Sequence, residues 1–141
     1  LLGVLGSMFL FTKFLTASSF LPAATIGFLS TGVLNLNNLR DYSSDKRAGK
    51  NTLIVLFGLD WGKKYHYALL VAAFLCMLIF TWVHCQNWQH LLHFIAFIPI
   101  FLHLNRVSRT TDPKSIDPEL KKLALSTFLL ALLFCLSYGY I

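Results

Sequence analysis

The residues of this chain that could do chemistry are concentrated between positions 37 and 50, directly after a long apolar segment that ends near Leu36. The stretch reads NNLRDYSSDKRAGK and contains two carboxylates, two side-chain amides and four bases. Carboxylates coordinate divalent cations, and basic side chains bind phosphate groups. Ionisable groups at the end of a membrane-spanning helix are costly to place, so this stretch is a candidate functional site.

Helical geometry narrows the candidate ligands. If the helix continues past Leu36, a rotation of about 100° per residue places Asn38, Asp41 and Asp45 within about 60° of one another, with Asn37 at the edge of that arc. Two carboxylates at i and i+4 repel each other unless a cation lies between them. Mg²⁺ is the natural cation, because it typically takes one or two carboxylates together with phosphate oxygens of a substrate. The same geometry predicts that Arg40 points to the opposite face.

The next bases along the chain could bind the rest of a diphosphate; they are Lys46, Arg47 and Lys50. A simpler interpretation covers the same residues: the acids and amides cap a helix, and the bases determine membrane topology. Spacing alone leaves both interpretations open.

The composition is that of a membrane protein. The 141 residues are 56% hydrophobic and only 13% charged, whereas a soluble domain carries about 25% charged residues. The net charge of +6 does not indicate nucleic-acid binding, because the charges lie in two loops between apolar segments rather than along one soluble face. We therefore expect no nucleic-acid partner, and a lipid bilayer as the surroundings.

Four segments are apolar enough, or nearly so, to cross a bilayer as helices, which takes about 20 residues each. They are Ser19–Leu36, Tyr65–Val83, Trp88–Leu104 and Leu123–Tyr140. Leu1–Leu15 is shorter and is interpreted as the second half of a further helix, so that the chain resembles a fragment of a longer polypeptide. The predicted fold class is all-α, a polytopic transmembrane helix bundle, with Pro99 inside the third of these segments as a tolerable kink.

Charge placement predicts the orientation. Eleven of the twelve bases and all six acids lie in residues 40–64 and 105–122, and the opposite connections, near 16–18 and 84–88, have none. The positive-inside rule places both charged loops in the cytoplasm. The chain is therefore expected to cross the membrane several times.

Local signals predict where helices begin and end. Gly49 and Gly58 are predicted breaks, and Asp60 is the expected cap of the next helix. Asp117 is the expected N-cap of the last helix, with Glu119 as an acid in its first turn. His66 and His103 fall near the inner ends of their helices, and we interpret them as interfacial side chains.

The order of residue types in this stretch also resembles a motif of a known protein family. Asn37-Asn38-Leu39-Arg40-Asp41-x-x-x-Asp45-Lys46-x-Ala48-Gly49-Lys50-Asn51-Thr52-Leu53 closely resembles the second aspartate-rich motif of the UbiA superfamily of membrane prenyltransferases. Leu56-Phe57-Gly58 and Lys63-Lys64-Tyr65-His66 are similar to the residues after that motif in the family, as is the loop at Asp112-Pro113. Within the superfamily, the sequence looks most similar to the branch that prenylates 1,4-dihydroxy-2-naphthoate in menaquinone synthesis.

The resemblance implies a UbiA-like bundle of about nine transmembrane helices, of which residues 1–141 would supply about four and a half, as the C-terminal part of a single domain. It implies that Asp41 and Asp45 are catalytic residues that bind Mg²⁺. Asn37, Asn38, Lys46, Arg47 and Lys50 would then bind the diphosphate of a polyprenyl diphosphate. The acceptor would be an aromatic acid, either 1,4-dihydroxy-2-naphthoate with loss of carbon dioxide or another ring or lipid precursor such as 4-hydroxybenzoate.

One part of the family pattern has no counterpart in these residues. The family carries a first aspartate-rich motif earlier in its chain, and we expect it, with the N-terminal half of the domain, before Leu1. Residues 1–141 alone would then hold half of a metal site and are expected to be inactive. The alternative class is a transporter or a non-catalytic membrane subunit, in which the Asp/Asn cluster binds an ion or a lipid headgroup.

Overall fold

The computed structural model describes residues 1–110 and 112–138, apart from the side chain of Lys114. The regular secondary structure of these residues is entirely helical, which confirms the all-α prediction. The α-helices are α1 (Leu2–Thr12), α2 (Phe20–Arg40), α3 (Tyr42–Arg47), α4 (Leu53–Phe57), α5 (Leu59–His84), α6 (Phe97–Arg109) and α7 (Asp117–Tyr138). Short 3₁₀ segments precede α2, α6 and α7, at Ala17–Ser19, Trp88–Ala96 and Pro113–Ile116.

Four helical segments are long and apolar enough to cross a membrane, as the sequence predicted, and the chain is a multi-pass membrane protein. They are Ala17–Arg40, Leu59–His84, Trp88–Arg109 and Asp117–Tyr138. Each is a few residues longer than the apolar run that predicted it, because the helices continue into the charged loops. The expected end of the last span at Tyr140 lies outside the described residues.

The core lies where α2 packs against α5 and α7. Leu29, Leu36, Leu70 and Leu123 are fully buried there. Gly32 allows the close approach, because a Cβ at this position would lie 2.9 Å from Cδ1 of Leu70. Small residues at such contacts are typical of helix packing in membranes, where van der Waals contact replaces the hydrophobic effect.

The third span changes its helix type near Pro99. Trp88–Ala96 is 3₁₀ helix, and the regular α-helix begins at Phe97, so that Pro99 lies in the first turn of α6. Proline is tolerated in a first turn because its missing N–H has no intrahelical acceptor there. An α-helix running through Pro99 from upstream would lose a hydrogen bond and clash with the carbonyl four residues earlier.

The two charged loops meet at one end of the bundle, which confirms that they share a side. Arg40 at the end of α2 contacts Asp117 at the start of α7, and Nζ of Lys63 donates to the carbonyl of Thr110 at 2.6 Å. Gly49 and Gly58 have φ of 68° and 90°, so both predicted breaks are confirmed. The prediction that Asp60 caps this helix is wrong. The helix α5 already begins at Leu59, and Asp60 lies in its first turn.

Candidate functional site

The predicted motif lies where α2 ends and α3 begins. Asp41 is the single residue between the two helices, and the backbone keeps nearly helical hydrogen bonds across it. The N–H of Asp41 donates to the carbonyl of Asn37 at 2.9 Å, and that of Asp45 donates to the carbonyl of Asp41 at 2.8 Å. The helical backbone therefore continues past Leu36 through Asp41 to Asp45, as the prediction of a shared face for Asn38, Asp41 and Asp45 assumed.

Arg40 is at the centre of this site, and the expectation that it points to the opposite face is wrong. Its Nε and Nη2 donate to the two carboxylate oxygens of Asp41 at 2.8 and 3.0 Å. Nη2 also donates to Oδ1 of Asn37 at 2.7 Å, and Nη1 donates to Oδ1 of Asp117 at 2.9 Å. The arginine side chain is long enough to fold back around the helix, which a calculation of backbone angles alone does not consider.

The contact with Arg40 changes the acidity of Asp41. Hydrogen bonds from the guanidinium are the main reason that the pKa of Asp41 lies below its usual value of 3.8. Partial burial acts in the opposite direction, and the charges of Arg40 and Lys50 add to the lowering. Asp41 is therefore ionised throughout the physiological pH range, as a metal ligand or an ion-pair partner must be.

Asp45 has a separate cationic partner. Its carboxylate is buried, with 7% of the side chain exposed, and accepts a hydrogen bond from Nζ of Lys50 at 2.8 Å. The pKa of Lys50 is raised, first by this hydrogen bond and then by the charge of Asp45. A buried carboxylate needs such a partner, because desolvation without one is strongly unfavourable.

The remaining predicted residues surround these two pairs. Lys46 is exposed, with Nζ 5.8 Å from the centroid of the Tyr42 ring. Arg47 is exposed at the surface of a polar cavity, and Asn38 is half-buried near the end of α2. Their assignment to diphosphate binding stays a prediction.

This polar cavity, of about 420 Å³, opens at the charged end of the bundle. Arg40, Asp41 and Arg47 line one side of it, and Asp112 and Asp117 of the second loop line the other. The sequence predicted Asp117 only as a helix cap, with no connection to the motif 77 residues earlier. The one feature of the sequence that could have indicated this contact is the concentration of charged residues in both loops.

The side chains that line this cavity include the chemical groups that bind a hard cation. The available ligands are carboxylate oxygens, which Mg²⁺ prefers. In residues 1–110 and 112–138, however, no group of three or more His, Cys, Asp or Glu side chains is arranged to hold a metal ion. The described part of the chain thus offers individual carboxylates, and further ligands would have to come from a bound diphosphate, water or other parts of a longer protein.

A second polar cluster lies inside the bundle, and here the interfacial interpretation of the histidines is wrong. Nε2 of His66 on α5 and Nε2 of His103 on α6 are 3.0 Å apart, and both side chains are buried. Nδ1 of His103 lies 2.9 Å from Oε2 of Glu119 on α7. Oε1 of Glu119 accepts from Lys122 and, at 3.5 Å, from Arg106. The cluster thus connects three helices by side-chain hydrogen bonds.

The hydrogen-bond network assigns the tautomers in this cluster. An ionised Glu119 only accepts, so His103 donates from Nδ1 and accepts at Nε2. His66 then donates from Nε2, which leaves its Nδ1 as an acceptor. That atom is buried and has no hydrogen-bond partner among the described residues.

A larger, mostly apolar cavity of about 570 Å³ lies toward the opposite end of the bundle. Residues from α1, α2, α5 and α7 contribute to its walls, together with the segment after α5; they include Met8, Ile26, Phe80, Phe134 and Tyr138. The bundle therefore combines a charged cavity at one end with an apolar cavity toward the other.

These features define a class: a polytopic helical membrane protein with an acidic and basic site where its helices meet the charged loops. The chain belongs to the UbiA prenyltransferase family, whose profile matches residues 1–132. This confirms the resemblance identified from the motif.

Two curated relatives carry the same name, 1,4-dihydroxy-2-naphthoate octaprenyltransferase. The protein from Haemophilus influenzae is 38% identical over 136 residues, and that from Escherichia coli K12 is 37% identical over 137 residues. Each alignment covers 96% of this chain and 44% of the relative, so the chain spans less than half the length of these proteins. No solved structure shows a significant match to the chain.

Proposed function

We propose that the protein containing this chain transfers a polyprenyl group from polyprenyl diphosphate to 1,4-dihydroxy-2-naphthoate, with loss of carbon dioxide, to give demethylmenaquinone. The observation that carries this proposal is the match of nearly the whole chain to two proteins named for that acceptor. The carboxylates and bases at the end of α2 are the groups that such a reaction needs.

Asp41 and Asp45 are the proposed Mg²⁺ ligands. Asp41 is the more accessible of the two, because it lines the polar cavity. Stabilisation of negative charge on the leaving diphosphate is the chemistry that Mg²⁺ supplies when bound. Asp45 is paired with Lys50, whose ammonium can balance the carboxylate or turn toward an incoming phosphate.

Basic and amide side chains hold the diphosphate in this proposal; they are Asn37, Asn38, Lys46, Arg47 and Lys50. Arg47 already lines the cavity, and Lys46 and Lys50 are exposed nearby. Positive groups that are in place before the allylic carbon–oxygen bond breaks stabilise the charge that develops on the leaving group. The electron-rich ring of the acceptor then attacks the allylic cation.

Apolar surface between the helices holds the isoprenoid tail. The cavity toward the opposite end of the bundle supports this placement, because its walls are largely aliphatic and aromatic. Exclusion of water from the allylic cation favours attack by the ring over hydrolysis.

The active unit is the complete polypeptide, a single domain of which these residues form the C-terminal part. The remaining half of the metal site is expected from a first aspartate-rich motif in the N-terminal half. Both charged loops face the cytoplasm of a bacterial inner membrane, in accordance with the positive-inside rule. Soluble aromatic acids and diphosphates are available on that side.

The test is prenyl transfer by the complete polypeptide in detergent, with Mg²⁺, a polyprenyl diphosphate and a panel of aromatic acids that includes 4-hydroxybenzoate. We expect turnover with the naphthoate, carbon dioxide release in equal amount, and loss of both on removal of Mg²⁺ by a chelator. Asp41→Ala and Asp45→Ala should each lower turnover at least a hundredfold, the usual scale for removal of a charged group that stabilises a transition state.

The exposed Arg109, near the end of α6, offers a control, and Arg109→Ala should leave turnover unchanged. Full activity in both aspartate variants would contradict the proposed roles. Turnover with 4-hydroxybenzoate alone would identify that acid as the acceptor instead of the naphthoate. No turnover with any acid would favour the alternative class, a transporter or a non-catalytic membrane subunit.

A further inference from the structure

Arg40 uses four hydrogen bonds to hold three side chains at once. Two of them bind both oxygens of Asp41, one binds Asn37 and one binds Asp117. The guanidinium is partly accessible, with 31% of the side chain exposed, and it lines the polar cavity. Four of its five N–H groups are therefore engaged, and the guanidinium is within reach of a ligand in that cavity.

This arrangement conflicts with metal binding by Asp41, a role that rests on the proposed function. A carboxylate held on both oxygens by a guanidinium is already neutralised, and a second cation at the same group would be repelled. Binding of Mg²⁺ to Asp41 therefore competes with Arg40. The bonds from Arg40 to Asp117 and Asn37 do not involve Asp41 and can persist when that pair is broken.

We propose that Arg40 is a diphosphate-binding residue that exchanges Asp41 for the substrate. In the free protein it neutralises Asp41; when the metal and the diphosphate enter together, Asp41 turns to the metal and the released N–H groups donate to phosphate oxygens. Arginine suits this exchange, because its planar fork binds carboxylate and phosphate with the same bidentate geometry. Asp117 is a positioning residue that keeps the guanidinium at the cavity during the exchange.

If this exchange occurs, Arg40→Gln should change two affinities in opposite directions, that for the metal ion and that for diphosphate. Both are measured on the complete polypeptide in detergent. Binding of Mn²⁺ alone, followed by electron paramagnetic resonance as a substitute for Mg²⁺, should become tighter, because the competing cation is gone. Binding of inorganic diphosphate in the presence of Mg²⁺, followed by calorimetry, should weaken roughly ten- to a hundredfold, the effect of one or more charge-assisted hydrogen bonds. Arg40→Lys should recover part of the diphosphate affinity, because it keeps the charge without the fork.

A merely structural arginine would give a different result. If Arg40→Gln loosens the site as a whole, binding of both Mn²⁺ and diphosphate weakens, and the exchange is overturned. Unchanged diphosphate binding overturns it as well. Arg109→Ala is the control for lost positive charge and should change neither affinity.

The role of Asp117 is tested by a double-mutant cycle. With Asp117→Asn in place, Arg40→Gln should cost less diphosphate affinity, because the arginine is then no longer held at the cavity. An equal cost in both backgrounds would overturn the positioning role. If the unsubstituted protein binds no diphosphate, the proposed function fails too, whereas normal binding with unaffected variants overturns only the exchange.

Discussion

Nε2 of His66 and Nε2 of His103 lie 3.0 Å apart within the helix bundle, and the second ring continues to Glu119 at 2.9 Å. The cluster joins α5, α6 and α7 close to the end of the bundle that carries the charged cavity. Glu119 lies two residues after Asp117, so the first turn of α7 is held by the buried histidines through one acid and by Arg40 through the other. The position of the candidate site therefore depends on this internal cluster.

Glu119→Leu should destabilise the bundle by about 1–3 kcal/mol, because it leaves the buried Nδ1–H of His103 without an acceptor. Glu119→Gln keeps a side-chain carbonyl oxygen of similar reach and should cost less. The measurement is the free energy of unfolding of the complete polypeptide in mixed micelles of detergent and sodium dodecyl sulfate. Equal stability of the leucine variant and the unsubstituted protein would contradict the assigned hydrogen bond.

Gly62→Ala should be destabilising by about 1–3 kcal/mol, as expected for overpacking of a filled contact. A Cβ at this position would overlap Ile54 and lie 2.9 Å from Cδ2 of Leu39. Gly6→Ala on α1 is the matched control, because a Cβ there would meet nothing within 4 Å. The same unfolding measurement decides the prediction, and two variants of equal stability would show that α2, α4 and α5 do not pack this closely.

Arg40→Gln should raise the pKa of Asp41 toward its usual value of 3.8, because the hydrogen bonds that lower it are lost. A carboxyl whose folded-state pKa is lowered contributes stability above the unfolded-state pKa and loses it as the pH falls through the folded-state value. The stability advantage of the unsubstituted protein over the variant should therefore be largest near neutral pH and shrink below about pH 4. Carbon NMR of labelled aspartate follows the Asp41 carboxyl directly, and an unchanged titration midpoint would exclude Arg40 as the cause.

Thr25→Val should lower stability by about 0.6 kcal/mol, the mean for a hydrogen bond between membrane helices. Oγ1 of Thr25 lies 3.2 Å from the carbonyl oxygen of Ala73 on α5, in addition to the carbonyl of Leu21 on its own helix. Valine has nearly the same shape and lacks the hydroxyl, so packing is kept. Thr31→Val is the control, because Oγ1 of Thr31 donates to Gly27 within the same helix. Equal losses in the two variants would indicate that the contact between α2 and α5 contributes nothing of its own.

The sequence by itself determined the helical class, the four spans, the breaks at Gly49 and Gly58 and the shared side of the two charged loops. These are local properties: hydropathy over about 20 residues decides which segments enter a bilayer, and glycine adopts positive φ without the steric penalty that other residues meet. The motif at residues 37–53 also identified the family, because its order of residue types is itself the signal.

Only the tertiary structure decided which distant side chains meet. Backbone angles placed Arg40 away from Asp41, but a flexible side chain reached both this aspartate and Asp117, which lies on another helix. His66 and His103 looked interfacial from their distance to the helix ends, whereas the rotation of α5 and α6 turned them inward toward each other. Helix rotation and side-chain reach depend on all the packed surfaces together, and for that reason no stretch of sequence revealed the partners of Arg40 or Glu119.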